Sequence, residues 1–475
     1  MHIKEDGWRQ FNLLSSLMGD PKHAANRFSI GNLDTLSESK EGELRHELVS
    51  FYNEHYSSDK MYFVAVSPEP IDQYKELVID QLNQVKHHKT ESIPKGSRFS
   101  KEHLGRVTTM EGLLDKRKIE IAFTIPNQRD QYKSPATSYI SSLLGDEGEG
   151  SVYDYLRKKG WATALSVGAE EWSSEEYSFV VDVDLSVEGY QHEDEVIAAI
   201  FSYIDLIKKR GVTRSHFHEL QKIGFLHYLY YEPKSAVSQA NYYVGLMPNY
   251  PMPILNKVFY VTDDSEFDAI HINSILDALV LQNARIWRIS PSEETDSQDP
   301  IFGTLYRDEA ISDKQAMRWL TPVPGLSLPK PNHFLPDSLA VVEKEITDEP
   351  VKVYSEEQSE AYFLGDDVFK DPIQIYGLEL SLPPRKDVYQ STALTLLLDV
   401  LEDAVQAELY AAGMAGLDWK ISHSKQGISI YVHGLGDKQH LVMTKIIDHL
   451  QSLTDVSEET FQLIKESALS VIKNI

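Results

Sequence analysis

The sequence predicts an α+β protein that contains a duplicated unit. Apolar residues recur at helical spacing in some segments and form short β-branched or aromatic runs in others. A block near the C-terminus repeats the order of helices and strands seen in the middle of the 475-residue chain. The hydrophobic fraction of 41% and the charged fraction of 25% are typical of a globular protein.

The first region that can be interpreted is predicted to be a helix, a strand and a second helix. Helical spacing of apolar residues predicts helices over Glu43–Tyr56 and Ile71–Val85. Between them, the run Met61–Val66 is consistent with a buried strand, which Ser67-Pro-Glu-Pro70 ends. The polar and basic stretch Lys86–Lys101 contains proline and glycine and is predicted to be a linker.

The middle block, Arg106–Arg288, is the longest coherent segment, and a glycine-rich acidic turn, Gly145–Gly150, separates two of its helices. Its predicted strands are Lys118–Pro126, Trp161–Gly168, Tyr177–Val187 and Ala284–Ile289. Its predicted helices are Thr137–Leu144, Ser151–Lys159, Glu193–Lys209, Ser215–Tyr230 and Asp268–Gln282.

The last block follows a second linker, Leu326–Pro336, which has three prolines in eleven residues. Its predicted strands are Ile373–Leu382, Leu417–Ser422 and Ile428–Val432, and its helices are Asp387–Ala412 and two more before the C-terminus. Gly434 corresponds to Gly189 at an offset of 245 residues, and Phe461 corresponds to Phe217 at an offset of 244. The last block is therefore predicted to repeat part of the middle block.

Charge and composition exclude several classes of function. The net charge of −27 repels phosphate backbones and anionic lipids, so we expect neither a nucleic-acid nor a membrane partner. Because there are no cysteines, disulfides, thiolate metal sites and cysteine nucleophiles are absent. No apolar run is long enough for a membrane helix, and the charged N-terminus lacks the pattern of a signal peptide. We expect a soluble chain, in the cytoplasm or the periplasm; the sequence does not choose between them.

Long and specific motifs cover nearly the whole chain. The middle block contains YISSLLGDEGEGSVYDYLRKKGWATALSVG, VDVDLSVEGYQHEDEVI and IFGTLYRDEAIS; ELRHELVSFYNEHYSSDKMYFVAV precedes them and AAGMAGLDWKISHSKQGISIYVHGLGDKQ follows. These motifs resemble the pitrilysin–insulysin family of inverted zinc metalloproteases. The resemblance implies repeated α/β-roll domains, in which helices pack on one face of an antiparallel-rich sheet.

The resemblance also implies a division into domains. Residues 1–98 resemble the C-terminal half of a catalytic-type domain, residues 99–325 a complete substrate-anchoring domain, and residues 326–475 the N-terminal half of a third homologous domain. We expect the two incomplete end domains to leave apolar faces uncovered, and dimer contacts or neighbouring domains to cover them.

The family's catalytic motif, H-x-x-E-H, does not occur in this sequence. In the family its histidines and a downstream glutamate bind zinc, while the glutamate of the motif is the general base. The nearest string, Phe51–His55, has phenylalanine in place of the first ligand. We therefore expect neither catalytic residues nor zinc in this chain, although zinc is the cofactor of the parent family.

The resemblance implies that an extended peptide substrate is anchored by the glycine-rich turn and the strand that follows it. The corresponding residues are Gly148, Gly150, Ser151, Leu165, Ser166, Val167 and Gly168. Glycines permit close backbone approach, and an edge strand can pair with a peptide. The alternative is an ordinary turn before a helix, followed by an ordinary strand.

Other residue groups have simpler interpretations. His216 and His218 lie two residues apart on a predicted helix and cannot face one metal ion. His87 and His88 are expected to be solvated linker residues. The carboxylates of Asp146–Glu149 do not have calcium-loop spacing, so we favour a surface turn. The aromatic group could stack on a ligand, but we favour packing; its members are Tyr228, Tyr230, Tyr231, Tyr242 and Tyr243.

Two functions remain open. The chain could be the substrate-binding part of a zinc metalloendopeptidase that hydrolyses unstructured peptides and be inactive alone. It could instead be a non-enzymatic subunit that binds peptides or docks on a catalytic partner. Its further partners would be the missing catalytic and fourth domains, or a second copy of the chain.

Overall fold

The computed structural model describes residues 5–19, 23, 26, 43–90, 99, 101–173, 175–230, 234–261, 263–341, 347, 349–365, 370–453 and 456–473. The helices are α1 Asp6–Met18, α2 Glu43–His55, α3 Ile71–Leu82, α4 Ala136–Leu144, α5 Val152–Lys158, α6 Val187–Gln191, α7 Glu193–Arg210, α8 Arg214–Leu229, α9 Ala236–Leu246, α10 Ala269–Ala278, α11 Asp313–Trp319, α12 Val388–Met414, α13 Gln439–Ser452 and α14 Glu458–Lys473. The strands are β1 Arg106–Glu111, β2 Arg117–Ile125, β3 Ala162–Glu171, β4 Tyr177–Leu185, β5 Ala284–Ser290, β6 Ser297–Gln298, β7 Leu305–Ala310, β8 Val351–Glu356, β9 Ser359–Phe363, β10 Ile373–Ser381, β11 Leu417–His423 and β12 Gly427–Leu435.

The middle block forms a seven-stranded sheet in the order β3-β4-β2-β5-β1-β7-β6. All described pairs in it are antiparallel except β1 with β5. Alternate residues of β2 and β4, such as Ile121 and Val181, face helices α4, α5, α7 and α10 and form the largest core with them. The predicted α+β class and the antiparallel-rich sheet are confirmed.

Helix α1 covers part of the opposite face of this sheet. Leu13, Leu14 and Met18 pack against Met110 and Trp287 of strands β1 and β5. The helix is fixed by polar contacts as well: the Asn12 side chain donates to Asp299 over 3.0 Å, and Arg9 donates to the carbonyl of Glu111 over 3.1 Å. Among the described helices, four thus pack on one face of the sheet and α1 covers part of the other.

The last block repeats the topology of the middle block. Strands β10, β12 and β11 form a three-stranded antiparallel sheet in that order, as β2, β4 and β3 do in the middle sheet. In both units a helical segment lies between the first two of these three strands in chain order. The hairpin is followed by the short helix α6 and then α7 and α8 in the middle unit, and by α13 and α14 in the last unit. Phe217 lies on α8 and Phe461 on α14, the second long helix after the hairpin in each unit. The predicted duplication is confirmed.

The segment Leu326–Pro336 contains no helix or strand and connects two cores. Leu326 and Leu328 pack against the core of the middle unit, and Phe334, which is 1% exposed, is buried in the core of the last unit. The segment therefore lacks regular structure, and apolar side chains anchor its two ends in the two cores; its role as a boundary between domains stays a prediction.

The predicted strand Met61–Val66 is wrong. These residues are assigned to no strand, and Met61, Tyr62 and Phe63 are 45–49% exposed. A strand requires a hydrogen-bonded neighbour, and no described residue pairs with this run. The predicted helices α2 and α3 are present, but neither has a buried residue.

Large apolar side chains are exposed in both end regions, as expected. Among the described residues, those of the first region are Leu48, Phe51, Tyr52, Tyr56, Ile71 and Leu77, and those of the last are Ile373, Ile375, Val388 and Tyr389. Their coverage by dimer contacts or by other domains stays a prediction. None of the described helices combines the length and the apolar character that crossing a membrane requires.

Candidate peptide-anchoring site

Strand β3 lies at the edge of the seven-stranded sheet and pairs, among the described strands, with β4 alone. Leu165 pairs with Val183 and Val167 with Val181, so both side chains point toward the helical core. Ser166 and Gly168 lie on the other face, where an added Cβ at Gly168 would meet nothing within 4 Å. An edge strand offers main-chain N–H and C=O groups that an extended peptide can pair with.

The glycine-rich turn, Gly145–Gly150, connects α4 to α5 and lies beside β3. A Cβ at Gly145 would be 3.3 Å from the Cβ of Val167, which places the start of the turn against the strand. Gly150 has a φ of +84°, a conformation that favours glycine. Ser151 caps α5 by accepting from the amide of Asp154, and a carboxylate oxygen of Asp154 accepts from the amide of Gly150 over 2.9 Å.

The structure thus brings the turn and β3 together, but the predicted turn residues also face the last unit. A Cβ at Gly148 would be 3.6 Å from the carbonyl oxygen of Ala407 on α12, and one at Gly150 would be 2.1 Å from Ser327 Oγ. The close approach of Ser327 therefore requires glycine at position 150, whereas the distance at Gly148 is an ordinary van der Waals contact. Their contact with a peptide stays a prediction.

Acidic groups dominate the electrostatics around β3. Burial raises the pKa of Asp146 in the turn to about 6, opposed by a hydrogen bond from the Gly148 amide. On the face of the sheet away from the large core, burial raises the pKa of Asp182 to about 6, although Lys118 opposes this shift. Lys118 Nζ lies 2.6 Å from Asp182 and 3.0 Å from Glu120. This lysine is shared by two carboxylates, and the surface beside the strand remains acidic.

The described residues do not fit a zinc ion. They contain no group of three or more His, Asp or Glu side chains placed to hold a metal. Phe51 and His55 are helical neighbours with ring centroids 4.4 Å apart on an exposed helix. His216 Nε2 lies 2.8 Å from Ser142 Oγ, whereas His218 Nδ1 lies 2.9 Å from Gln221. These two histidines have separate partners, and no catalytic step can be derived through zinc in this part of the chain.

His87 and His88 belong to a small ordered cluster. His87 Nδ1 lies 3.1 Å from Ser58 Oγ, and His88 Nε2 lies 3.2 Å from the carbonyl oxygen of Glu54. Residues 91–98 and 100 of the predicted linker lie outside the described part of the chain.

The carboxylates of the turn do not converge on one point. Asp146 accepts from the Gly148 amide, Glu147 accepts from Gln406 over 3.0 Å, and Glu149 lies 3.2 Å from Lys330 Nζ. Each carboxylate has its own protein partner, which favours the turn interpretation over calcium.

Ring contacts support packing for most of the aromatic group. Tyr242 and Tyr243 have centroids 5.3 Å apart, and Tyr228 lies 6.5 Å from Tyr260. Tyr231 lies outside the described residues.

Sequence reasoning missed the residues that hold the turn from the other unit. Tyr410 Oη donates to the carbonyl oxygen of Gly145 over 3.0 Å, Gln406 donates to Glu147, and the Ser327 amide donates to the carbonyl oxygen of Gly150 over 2.8 Å. The spacing of Gln406 and Tyr410 places them on one helix face, but periodicity does not tell which segment that face contacts.

Comparisons with known proteins agree with this architecture. A family model described as "Middle or third domain of peptidase_M16" matches residues 228–475, and one described as "Peptidase M16 inactive domain" matches residues 44–223. The chain is 29% identical to insulin-degrading enzyme from Homo sapiens over 100% of this chain and 47% of that protein. It is 28% identical to the A-factor-processing enzyme of Saccharomyces cerevisiae, again over 100% of this chain and 47% of that protein. The crystal structure of pitrilysin shares the fold with a TM-score of 0.80 at 20% identity, over 99% of this chain and 51% of that one.

The repeated α+β architecture is that of the pitrilysin fold, and the two family models together match residues 44–223 and 228–475. The chain belongs to the peptidase M16 family of metalloproteases, which confirms the resemblance to pitrilysin and insulysin. It spans about half the length of the curated relatives that it matches.

Proposed function

We propose that this chain is the non-catalytic, substrate-anchoring portion of an insulysin- or pitrilysin-like zinc metalloendopeptidase that hydrolyses unstructured peptides. The observation that carries the proposal is the edge position of β3, which pairs with β4 alone among the described strands and lies beside the Gly145–Gly150 turn. The names of two relatives, insulin-degrading enzyme and A-factor-processing enzyme, support a peptide substrate.

In the proposed complex, an extended peptide adds a strand to the sheet along β3. Its main-chain groups pair with residues Leu165–Gly168, and its N-terminal end lies toward Gly148, Gly150 and Ser151. Main-chain pairing is independent of sequence, which suits an enzyme that accepts many unstructured peptides. The acidic groups near the strand, such as Asp182 and Glu170, favour a peptide with a cationic end or cationic side chains.

Under this proposal, the zinc ligands and the general base that hydrolyse the peptide lie outside residues 1–475. The chain has no H-x-x-E-H motif, and the family model over residues 44–223 is described as an inactive domain. Under this proposal, residues 1–98 and 326–475 are partial domains on either side of a complete unit, 99–325. The exposed apolar side chains of α2 and α3 are then covered by the remaining domains or by a second copy of the chain.

The experiment has two arms. Fluorescence anisotropy with a labelled linear insulin-derived peptide measures binding, and we expect saturation at micromolar protein. Metal analysis and a peptidase assay with and without chelator measure catalysis, and we expect no bound zinc and no cleavage. Zinc at one equivalent with chelator-sensitive cleavage would overturn the inactivity, and absence of saturable peptide binding would overturn the anchoring role.

A further inference from the structure

Helix α12 of the last unit presents four residues on one face toward the Gly145–Gly150 turn of the middle unit. They are Asp403, Gln406, Ala407 and Tyr410, and we call them the turn-facing stripe. Spacings of three, four and seven residues place their side chains on the same side of a helix. Each of the four lies against the turn or against the helix that follows it.

Two side chains of this stripe donate hydrogen bonds to the first half of the turn, at Gly145 and Glu147. Tyr410 Oη donates to the carbonyl oxygen of Gly145 over 3.0 Å, and Gln406 Nε2 donates to Glu147 Oε2 over 3.0 Å. Ala407 lies between Gln406 and Tyr410 on the helix, and its carbonyl oxygen would be 3.6 Å from a Cβ at Gly148. The turn therefore packs on α12 through a carbonyl, a carboxylate and a glycine.

Two successive ion pairs connect Asp403 of the stripe, through Arg157, to Asp154, which binds the last residue of the turn, Gly150. Asp403 Oδ2 lies 2.6 Å from Arg157 Nη1, and Arg157 Nη2 lies 3.5 Å from Asp154 Oδ1. Asp154, which is 2% exposed, accepts from the amide of Gly150 over 2.9 Å. Because an ion pair of this kind is only partly exposed to water, it is held more firmly than a surface pair.

The linker completes the support. The Ser327 amide donates to the carbonyl oxygen of Gly150 over 2.8 Å, and Lys330 Nζ lies 3.2 Å from Glu149. Every residue from Gly145 to Gly150 therefore has a partner within the turn, on α12 or on the linker, and the start of the turn lies against Val167 of β3.

We propose that Tyr410 and Gln406 are positioning residues for the peptide-anchoring site, so that the last unit sets the affinity of the middle unit for its peptide. This inference rests on the proposed function of β3 and the turn. A turn that is fixed before the peptide arrives loses less conformational freedom on binding. Removal of its supports lowers the affinity without removing any group that touches the peptide.

The test measures peptide affinity well below the melting temperature, so that global stability does not enter. Tyr410→Phe keeps the ring and removes the hydroxyl, and we expect the Kd for the labelled insulin-derived peptide to rise about fivefold, as for the loss of one hydrogen bond. Tyr389→Phe is the matched control, because Tyr389 is on the same helix and is 82% exposed. We expect no change in its Kd.

A charge swap separates positioning from a general structural role. Gln406→Glu replaces the hydrogen-bond donor to Glu147 with a second carboxylate, which repels it. We therefore expect weaker peptide binding and faster amide hydrogen exchange at residues 145–151. The double variant Glu147→Gln/Gln406→Glu restores an amide–carboxylate pair in reverse, and we expect affinity and exchange to return to the wild-type values.

The outcomes distinguish the inference from the function on which it rests. Wild-type binding with unchanged Kd in Tyr410→Phe and Gln406→Glu overturns the positioning role and leaves the anchoring role intact. Failure of the swap to restore affinity overturns the role of Gln406. If the wild-type chain does not bind the peptide, the anchoring role and this inference fail together.

Discussion

Gly189 lies so close to Trp161 that a Cβ on the glycine would be 1.9 Å from the tryptophan's carbonyl oxygen. The last unit repeats this contact: a Cβ on Gly434 would be 2.2 Å from the carbonyl oxygen of Gly416. In each unit, a glycine near or just after the end of the hairpin's second strand lies close to the backbone that immediately precedes the hairpin's first strand, β3 or β11. The duplication therefore includes main-chain packing as well as topology.

We expect Gly189→Ala and Gly434→Ala each to lower the free energy of unfolding by about 1–3 kcal/mol, because backbone atoms would have to move. Urea denaturation followed by circular dichroism measures this change. Gly413→Ala is the control, since a Cβ there meets nothing within 4 Å and alanine favours the helix that contains it. Equal stability of all three variants would contradict the close approach.

The buried guanidinium of Arg285 depends on Asp308. Arg285 is 0% exposed and contacts Asp308, which also lies 2.6 Å from Arg106 Nε. We expect Asp308→Asn to lower the free energy of unfolding by about 3–5 kcal/mol, because it leaves a buried cation without its counter-charge.

The exposed pair Lys209–Asp205 provides the comparison for this variant. Its side chains are 71% and 55% exposed, so we expect Asp205→Asn to change the free energy of unfolding by less than about 1 kcal/mol. The same urea titration measures both variants, and a similar loss in each would show that burial does not determine the difference.

His216 makes stability depend on pH. Burial lowers the pKa of His216 from 6.5 to about 4, so the folded state keeps the ring neutral where the unfolded chain is protonated. Stability is therefore lost as pH falls from about 6.5 to about 4, with a full contribution of about 3 kcal/mol. His216→Gln keeps a polar partner for Ser142 without titrating. We expect the wild type to lose more stability than this variant between pH 7.5 and pH 4.5, and equal losses would contradict the assignment.

Asp146 changes the stability of the folded state with pH in the direction opposite to His216. Its pKa is raised from 3.8 to about 6, so the ionised carboxylate disfavours the folded state above that pH by about 3 kcal/mol. This cost is relieved as pH falls through about 6 toward 3.8. Asp146→Asn retains an acceptor for the Gly148 amide, and we expect it to be more stable than wild type at pH 8 and equally stable near pH 4. Thermal unfolding at the two pH values is the measurement, and a variant that is less stable at pH 8 would contradict it.

Periodicity predicted the elements that bury one side in a local core. Helix α7 has ten buried residues and was predicted to within one residue at its C-terminal end. Met61–Val66 has the composition of a strand but pairs with no strand among the described residues. Composition alone does not determine whether a partner strand is present. Strand β1 was not predicted, since Arg106–Glu111 is polar at four of its six positions and is defined by pairing with the distant strand β5.

The candidate site shows the same limit. The glycines and the strand after them were found through a long motif, and the structure places Gly145 against Val167. The residues that support the turn, Tyr410 and Ser327, lie in another unit and in the linker. Which helix face contacts which turn is decided by packing between units, so no local pattern in the sequence identifies these partners.

The most direct test of peptide anchoring uses main-chain methylation of the ligand. A strand points alternate N–H groups toward its neighbour, so methylating one alternate set of amides in a labelled linear peptide should block pairing with β3, whereas methylating the other set should not. We expect the Kd to rise at least about tenfold for one methylated peptide and to stay near that of the parent for the other. Equal affinity of both methylated peptides and the parent would contradict strand pairing at β3.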